Sequence, residues 1–184
     1  MSGSRFTTAR EVFLAFPSSE DDISAAPTDE PPLAYLAALR ASPTPEDAVS
    51  FLAYALGRRE AVWWAAQGVR LMADIPLGHE DAPLKAAEAW VREPDDLNRR
   101  EALRLGMTGN RRLATSWVAL AAGWSGGNIA PGPGATVPAT PEMTPKAVRT
   151  AVLVALATVA ARDRAVRLQA CVDAGLPLLR GPAR

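Results

Sequence analysis

Gly57-Arg58-Arg59-Glu60-Ala61-Val62-Trp63-Trp64-Ala65-Ala66-Gln67-Gly68-Val69-Arg70-Leu71-Met72 is the stretch that decides the fold. Set at the α-helical period of about 100° per residue, it spreads Ala61, Val62, Trp64, Ala65, Ala66, Val69, Leu71 and Met72 over more than half of the circumference. Glu60, Gln67, Arg59 and Arg70 share the narrow arc that remains. A helix this apolar needs neighbours on several sides, which places it near the centre of a helical assembly. Trp64 falls on the apolar side, where burial of the ring stabilises by roughly 3 kcal/mol or more.

Trp63 falls inside the polar arc. Arg59 precedes it by one turn, Gln67 follows by one turn and Arg70 by two. Trp and Arg are enriched at binding hot spots, so Trp63, Arg59, Gln67 and Arg70 form the candidate protein-binding patch. The more ordinary reading covers Trp63 with another helix or the N-terminal arm and stacks Arg59 on its ring.

Outward from this helix, the chain reads as further helices. Residues 1–30 form an N-terminal arm with a short amphipathic helix over 7–16, either packed on the body or free to enter a partner's groove. Residues 31–184 form a single helical domain. A helix spans 32–41. Thr44-Pro45-Glu46-Asp47 opens the next with a hydroxyl cap, a first-turn proline and two carboxylates, and that helix runs to Leu56. Beyond the turn at 74–79, helices are expected from Glu80 or Asp81 to Val91, from Leu97 to about Met107, and from Leu113 to Trp124. Residues 125–145 carry too much proline and glycine for helix or central strand, and a loop of that length is expected to be functional or mobile. Thr144-Pro145 restarts a long apolar helix to about Arg162. A last helix over 164–174 is expected to stop at Gly175 and Pro177.

No segment alternates apolar and polar residues over strand length, so no sheet is expected. The fold class is therefore all-α, with antiparallel helical hairpins stacked as a bundle or short α-α superhelix. A weak internal echo links Gly57-Arg58-Arg59-Glu60-Ala61 with Asn98-Arg99-Arg100-Glu101-Ala102, at the spacing of helical-hairpin repeats.

The chemistry is sparse. The 184 residues carry no net charge, which gives no electrostatic footprint for nucleic acid. The apolar runs 113–124 and 151–161 are shorter than the roughly 20 residues of a membrane span, and no signal peptide is visible, so a cytoplasmic location is expected. Cys171 is the sole cysteine and reads as a small buried hydrophobe. His79 is the sole histidine and sits in a Pro/Gly turn beside Glu80 and Asp81. Zinc ligation and a histidine-based triad both lack their partners, so no catalytic residue, metal or cofactor is expected. The carboxylate pairs Asp21/Asp22, Glu80/Asp81 and Asp95/Asp96 fall where helix capping accounts for them. The arginine pairs 58/59, 99/100 and 111/112 read as solvated charge, or as an edge for an acidic partner.

Two segments together carry a family resemblance: Tyr54-Ala55-Leu56-Gly57-Arg58-Arg59-Glu60-Ala61-Val62-Trp63-Trp64-Ala65, and Trp124-Ser125-Gly126-Gly127-Asn128-Ile129-Ala130-Pro131 followed by a Pro-rich stretch and a long apolar helix. Over about residues 30–180 the chain resembles an uncharacterised bacterial family of helical domains associated with type VI secretion loci. The resemblance implies all-helical architecture, no established activity and no residue roles to carry over.

The functional expectation is a non-catalytic, protein-binding adaptor or chaperone-like accessory protein. The alternative is a small-ligand-binding or enzymatic helical domain with its site under the 125–145 loop, near Trp117 and Trp124. A self-associating structural subunit is a third reading.

Overall fold

The computed structural model describes residues 5–75, 80–130, 132 and 134–180. Residues 76–79 of the expected Pro/Gly turn, His79 among them, lie outside the described residues. The helices are α1 (Ala9–Ala15), α2 (Pro32–Arg40), α3 (Asp47–Ala55), α4 (Arg58–Met72), α5 (Ala82–Arg92), α6 (Asp96–Thr108), α7 (Ala114–Gly123), α8 (Met143–Thr158) and α9 (Ala161–Arg180), with a 3₁₀ turn over Pro17–Asp21. The fold is all-α: among the described residues there is no strand, and one isolated antiparallel bridge joins Asn128 to Pro138.

Side-chain caps open α1, α5 and α6. Thr8 caps α1: its hydroxyl accepts from the Glu11 N–H at 3.3 Å, while the Glu11 carboxylate accepts from the Thr8 N–H. Asp81 caps α5 through the Leu84 N–H at 2.9 Å, and Asp95 caps α6 through the Asn98 N–H at 2.8 Å. At Thr44 the geometry differs from the expected cap. The Thr44 hydroxyl donates to the Asp47 carboxylate at 3.1 Å, and α3 proper begins at Asp47.

Packing puts α4 in the middle, against α5, α7, α8 and α9. Its Val62, Trp64, Ala65 and Val69 are fully buried. Trp64 Nε1 donates to the Cys171 carbonyl of α9 at 2.8 Å, which satisfies the indole N–H inside the core. Consecutive pairs α5/α6, α6/α7 and α7/α8 pack closely, as stacked hairpins require. The α3/α4 step departs from that pattern. Leu56 and Gly57 are extended, and α3 and α4 both lie on α8 while barely meeting each other.

The end of the chain corrects the sequence reading. Helix α8 stops at Thr158, and α9 runs Ala161–Arg180, straight through Gly175 and Pro177. Gly175 is there for space: a Cβ would stand 2.9 Å from Leu52 Cδ1 and 3.1 Å from Trp64 Nε1. Leu179, beyond the proline, is 1% exposed. Its burial carries the helix past two residues that locally disfavour it.

The N-terminal segment is part of the core. Val12, Phe13, Phe16 and Ile23 join the same apolar cluster as Tyr35, Phe51 and Tyr54. The Tyr35 hydroxyl donates to the Ala25 carbonyl at 2.9 Å, Tyr54 donates to Asp22 at 2.6 Å, and Asp47 accepts from the Ser24 N–H at 2.9 Å. Arg149 stands 3.4 Å from Asp22.

Candidate functional site

The patch singled out in the sequence lies along the seam between α4 and α5. Arg59 Nε donates to the Val91 carbonyl at 2.7 Å and Nη2 to that of Arg92 at 3.3 Å, so its guanidinium caps the C-terminal turn of α5. Three turns on, Arg70 grips Glu88 of α5 in a bidentate pair, Nε to Oε1 at 2.7 Å and Nη2 to Oε2 at 3.0 Å. Arg70 is buried, and the Glu88 hydrogen bond raises its already high pKa. The polar arc of α4 is thus covered at both ends by α5, and both guanidiniums are structural cross-links. Between them Trp63 is 40% exposed and Gln67 half-buried. Four residues expected as one surface divide into an open indole, an amide beside it, and two arginines that fix the backbone carrying them.

The loop at 125–145 makes a second place of interest. Gly127 and Ile129 pair with Ala139 and Val137, the Ala139 N–H donating to Gly127 at 3.1 Å and the Ile129 N–H to Val137 at 2.9 Å. Asn128 clasps the turn from inside. Its Oδ1 accepts from the N–H groups of Ala130 and Val137, and its Nδ2 donates to the Ala135 carbonyl. Arg99 of α6 pins this hairpin to the body. It is 5% exposed, and it donates to the carbonyls of Gly123 at 3.0 Å and Asn128 at 3.3 Å and to Asp96 at 2.6 Å. The Arg99 hydrogen bonds hold the Asp96 carboxyl below its usual pKa.

Between α6 and the hairpin runs a groove of about 590 Å³, walled by Leu103, Met107 and Ile129, with Arg100 and Arg104 on its α6 side. Trp117 and Trp124 lie edge to face at 6.5 Å, and Trp117 Nε1 donates to the Arg111 carbonyl. They are not among the residues that line the groove.

Sequence reasoning treated Arg99 as one of a solvated pair. The Asp96–Arg99 spacing of one helical turn was the available signal, but its loop partners lie far along the chain. The internal echo also fails to align in space, since Arg58 is the first residue of α4 and Arg99 the fourth of α6. Cys171 is fully buried on α9, and burial pushes its thiol up to about 12, so it is held as a neutral S–H.

A family model described as a family of unknown function, DUF6931, matches residues 35–179. The chain belongs to DUF6931. The DUF6931 segment holds α4, the α4/α5 seam, Arg99 and the loop, while α1 and its following turn precede it. No curated protein and no solved structure matches the chain. Among the described residues, no cluster of three or more metal-ligating side chains occurs and no helix is long and apolar enough to cross a membrane.

Proposed function

We propose that this DUF6931 protein is a non-catalytic adaptor that binds a protein partner through the α4/α5 seam, with Trp63 as the anchor. The observation that carries the reading is an indole 40% exposed on a helix that packs against α5, α7, α8 and α9. Arg59 and Arg70 tie that helix to α5 on either side of it. An aromatic held on a rigid backbone gives contact area at little entropic cost on binding. The sequence resemblance to bacterial proteins of type VI secretion loci suggests a component of that apparatus as the partner, in the cytoplasm.

The test is affinity capture from cells of the source organism, comparing the wild-type chain with Trp63→Ala and with Leu97→Ala. Leu97 is exposed on α6, which is neither of the two helices that form the seam. A partner retained by wild type and Leu97→Ala but lost with Trp63→Ala is the expected result, with helicity unchanged by circular dichroism. Equal capture by all three removes the reading. It would leave the second one, a ligand-binding or enzymatic domain, which the groove between α6 and the 125–145 hairpin favours.

A further inference from the structure

A second cavity lies on the other side of α4. It measures about 390 Å³ and forms where the N-terminal segment crosses the start of α4 and the start of α8. Phe16, Ala53, Leu56, Ala61, Pro141 and Pro145 make its apolar wall, and Arg5 and Arg58 bring two guanidiniums to it. Arg5 is held in place. Its Nη1 donates to the Leu56 carbonyl at 3.0 Å, and its guanidinium lies 5.1 Å from the Phe6 ring centroid and 5.9 Å from that of Phe16. The guanidinium of Arg58, at the first position of α4, makes no hydrogen bond or ion pair among the described residues. Burial and the neighbouring Arg58 charge both lower the pKa of Arg5, and Glu60 offsets part of that. Lys146 and Arg149, further along α8, are turned to Asp22.

We infer that this cavity binds a small organic oxyanion, a carboxylate or phosphate monoester on an aromatic or aliphatic body. Two like charges sharing a partly enclosed space repel, and an oxyanion between them replaces repulsion with charge-assisted hydrogen bonds. Guanidinium donors beside a hydrocarbon wall match a ligand that carries an anionic group on an apolar body. The volume lies within the span usual for small-molecule sites, about 300–1,000 Å³. The site is separate from the Trp63 seam, so it stands or falls independently of the adaptor reading. Arg5 and Phe16 precede the DUF6931 segment, so the N-terminal segment completes a site that the segment alone lacks.

The test is isothermal titration of the full chain with phenyl phosphate, benzoate, inorganic phosphate and benzyl alcohol, repeated on Arg58→Gln, Arg5→Gln and the distant Arg162→Gln. Arg58→Gln carries the test, because an exposed first-turn residue is replaced without disturbing the core. Saturable one-to-one binding of phenyl phosphate or benzoate is expected, weakened about tenfold or more by Arg58→Gln and by Arg5→Gln, as loss of a charged hydrogen bond implies. Arg162→Gln should bind as wild type does, and benzyl alcohol should not bind. The tighter of the two aromatic probes names the anion. Binding of inorganic phosphate as tightly as phenyl phosphate would overturn the ligand class. No saturation by any oxyanion at 10 mM, a ceiling on the order of a 2.7 kcal/mol interaction, or binding indifferent to Arg58→Gln, would overturn the site.

Discussion

Arg99 shows how much one side chain can hold. Its guanidinium is buried and reaches the last turn of α7, the hairpin at Asn128 and the Asp96 carboxylate together. Gly127 packs directly on it with φ +66, and a Cβ there would stand 2.9 Å from Arg99 Nη2. Glycine answers two demands at that position, a left-handed backbone and a side-chain-free approach. Replacing Arg99 by Met strips donors from the buried Gly123 carbonyl and the half-buried Asn128 carbonyl and releases the hairpin. The expected loss is about 2–4 kcal/mol, the usual cost of orphaned buried partners. Urea unfolding should show it as a lowered midpoint, with Arg100→Met, an exposed neighbour, within about 0.5 kcal/mol of wild type. Equal midpoints for the two variants would mean that the hairpin stays in place without the guanidinium.

The α6/α7 pair shows the same economy between elements. Each helix offers the other a glycine. A Cβ on Gly123 would stand 2.6 Å from Leu103 Cα, and one on Gly106 2.8 Å from the Leu120 backbone nitrogen. These are backbone clashes, which a rotamer change cannot relieve. Gly123→Ala must therefore push the helices apart, at a cost of at least the roughly 1–3 kcal/mol typical of overpacking. Its thermal midpoint should fall well below that of wild type, although alanine is the better helix former in isolation. An unchanged or raised midpoint would show that the interface has slack. The pair also marks what a sequence can disclose. The span 58–72 was legible because its apolar residues wrap the helix, and all-helical architecture followed from that period repeated along the chain. Gly175 read locally as a breaker, while in space Gly106, Gly123 and Gly175 are all points of close approach. For Gly175 that difference misplaced the end of α9. Arg59 and Arg70 were legible as a pair on one arc of α4, but their partners on α5 depend on how two helices meet, which no local pattern encodes.

Across the whole molecule, the N-terminal segment and the DUF6931 segment share one core, and two tyrosine hydroxyls fasten the join. Burial pushes Tyr35 up to about 12, and burial together with the Asp22 hydrogen bond pushes Tyr54 up as well. Cys171, in the core beneath α4, is raised to about 12 by burial alone. All three bind their proton more tightly folded than unfolded, where the phenols titrate near 10 and the thiol near 8.5. Their stabilising contribution is complete below those unfolded values and is lost as pH rises toward the folded ones. Thermal midpoints measured from pH 7 to 12 should therefore hold steady, begin to drop above about pH 8.5 as the unfolded thiol ionises, and drop more steeply above about 10. Cys171→Ala should remove the early part of the decline and leave the later one. Tyr35→Phe/Tyr54→Phe should start from a lower midpoint, having lost two hydrogen bonds, and then follow a flatter course above pH 10. A double variant that falls as steeply as wild type would show that the alkaline loss originates elsewhere, and that the hydroxyls joining the N-terminal segment to the helical body are not what fails first.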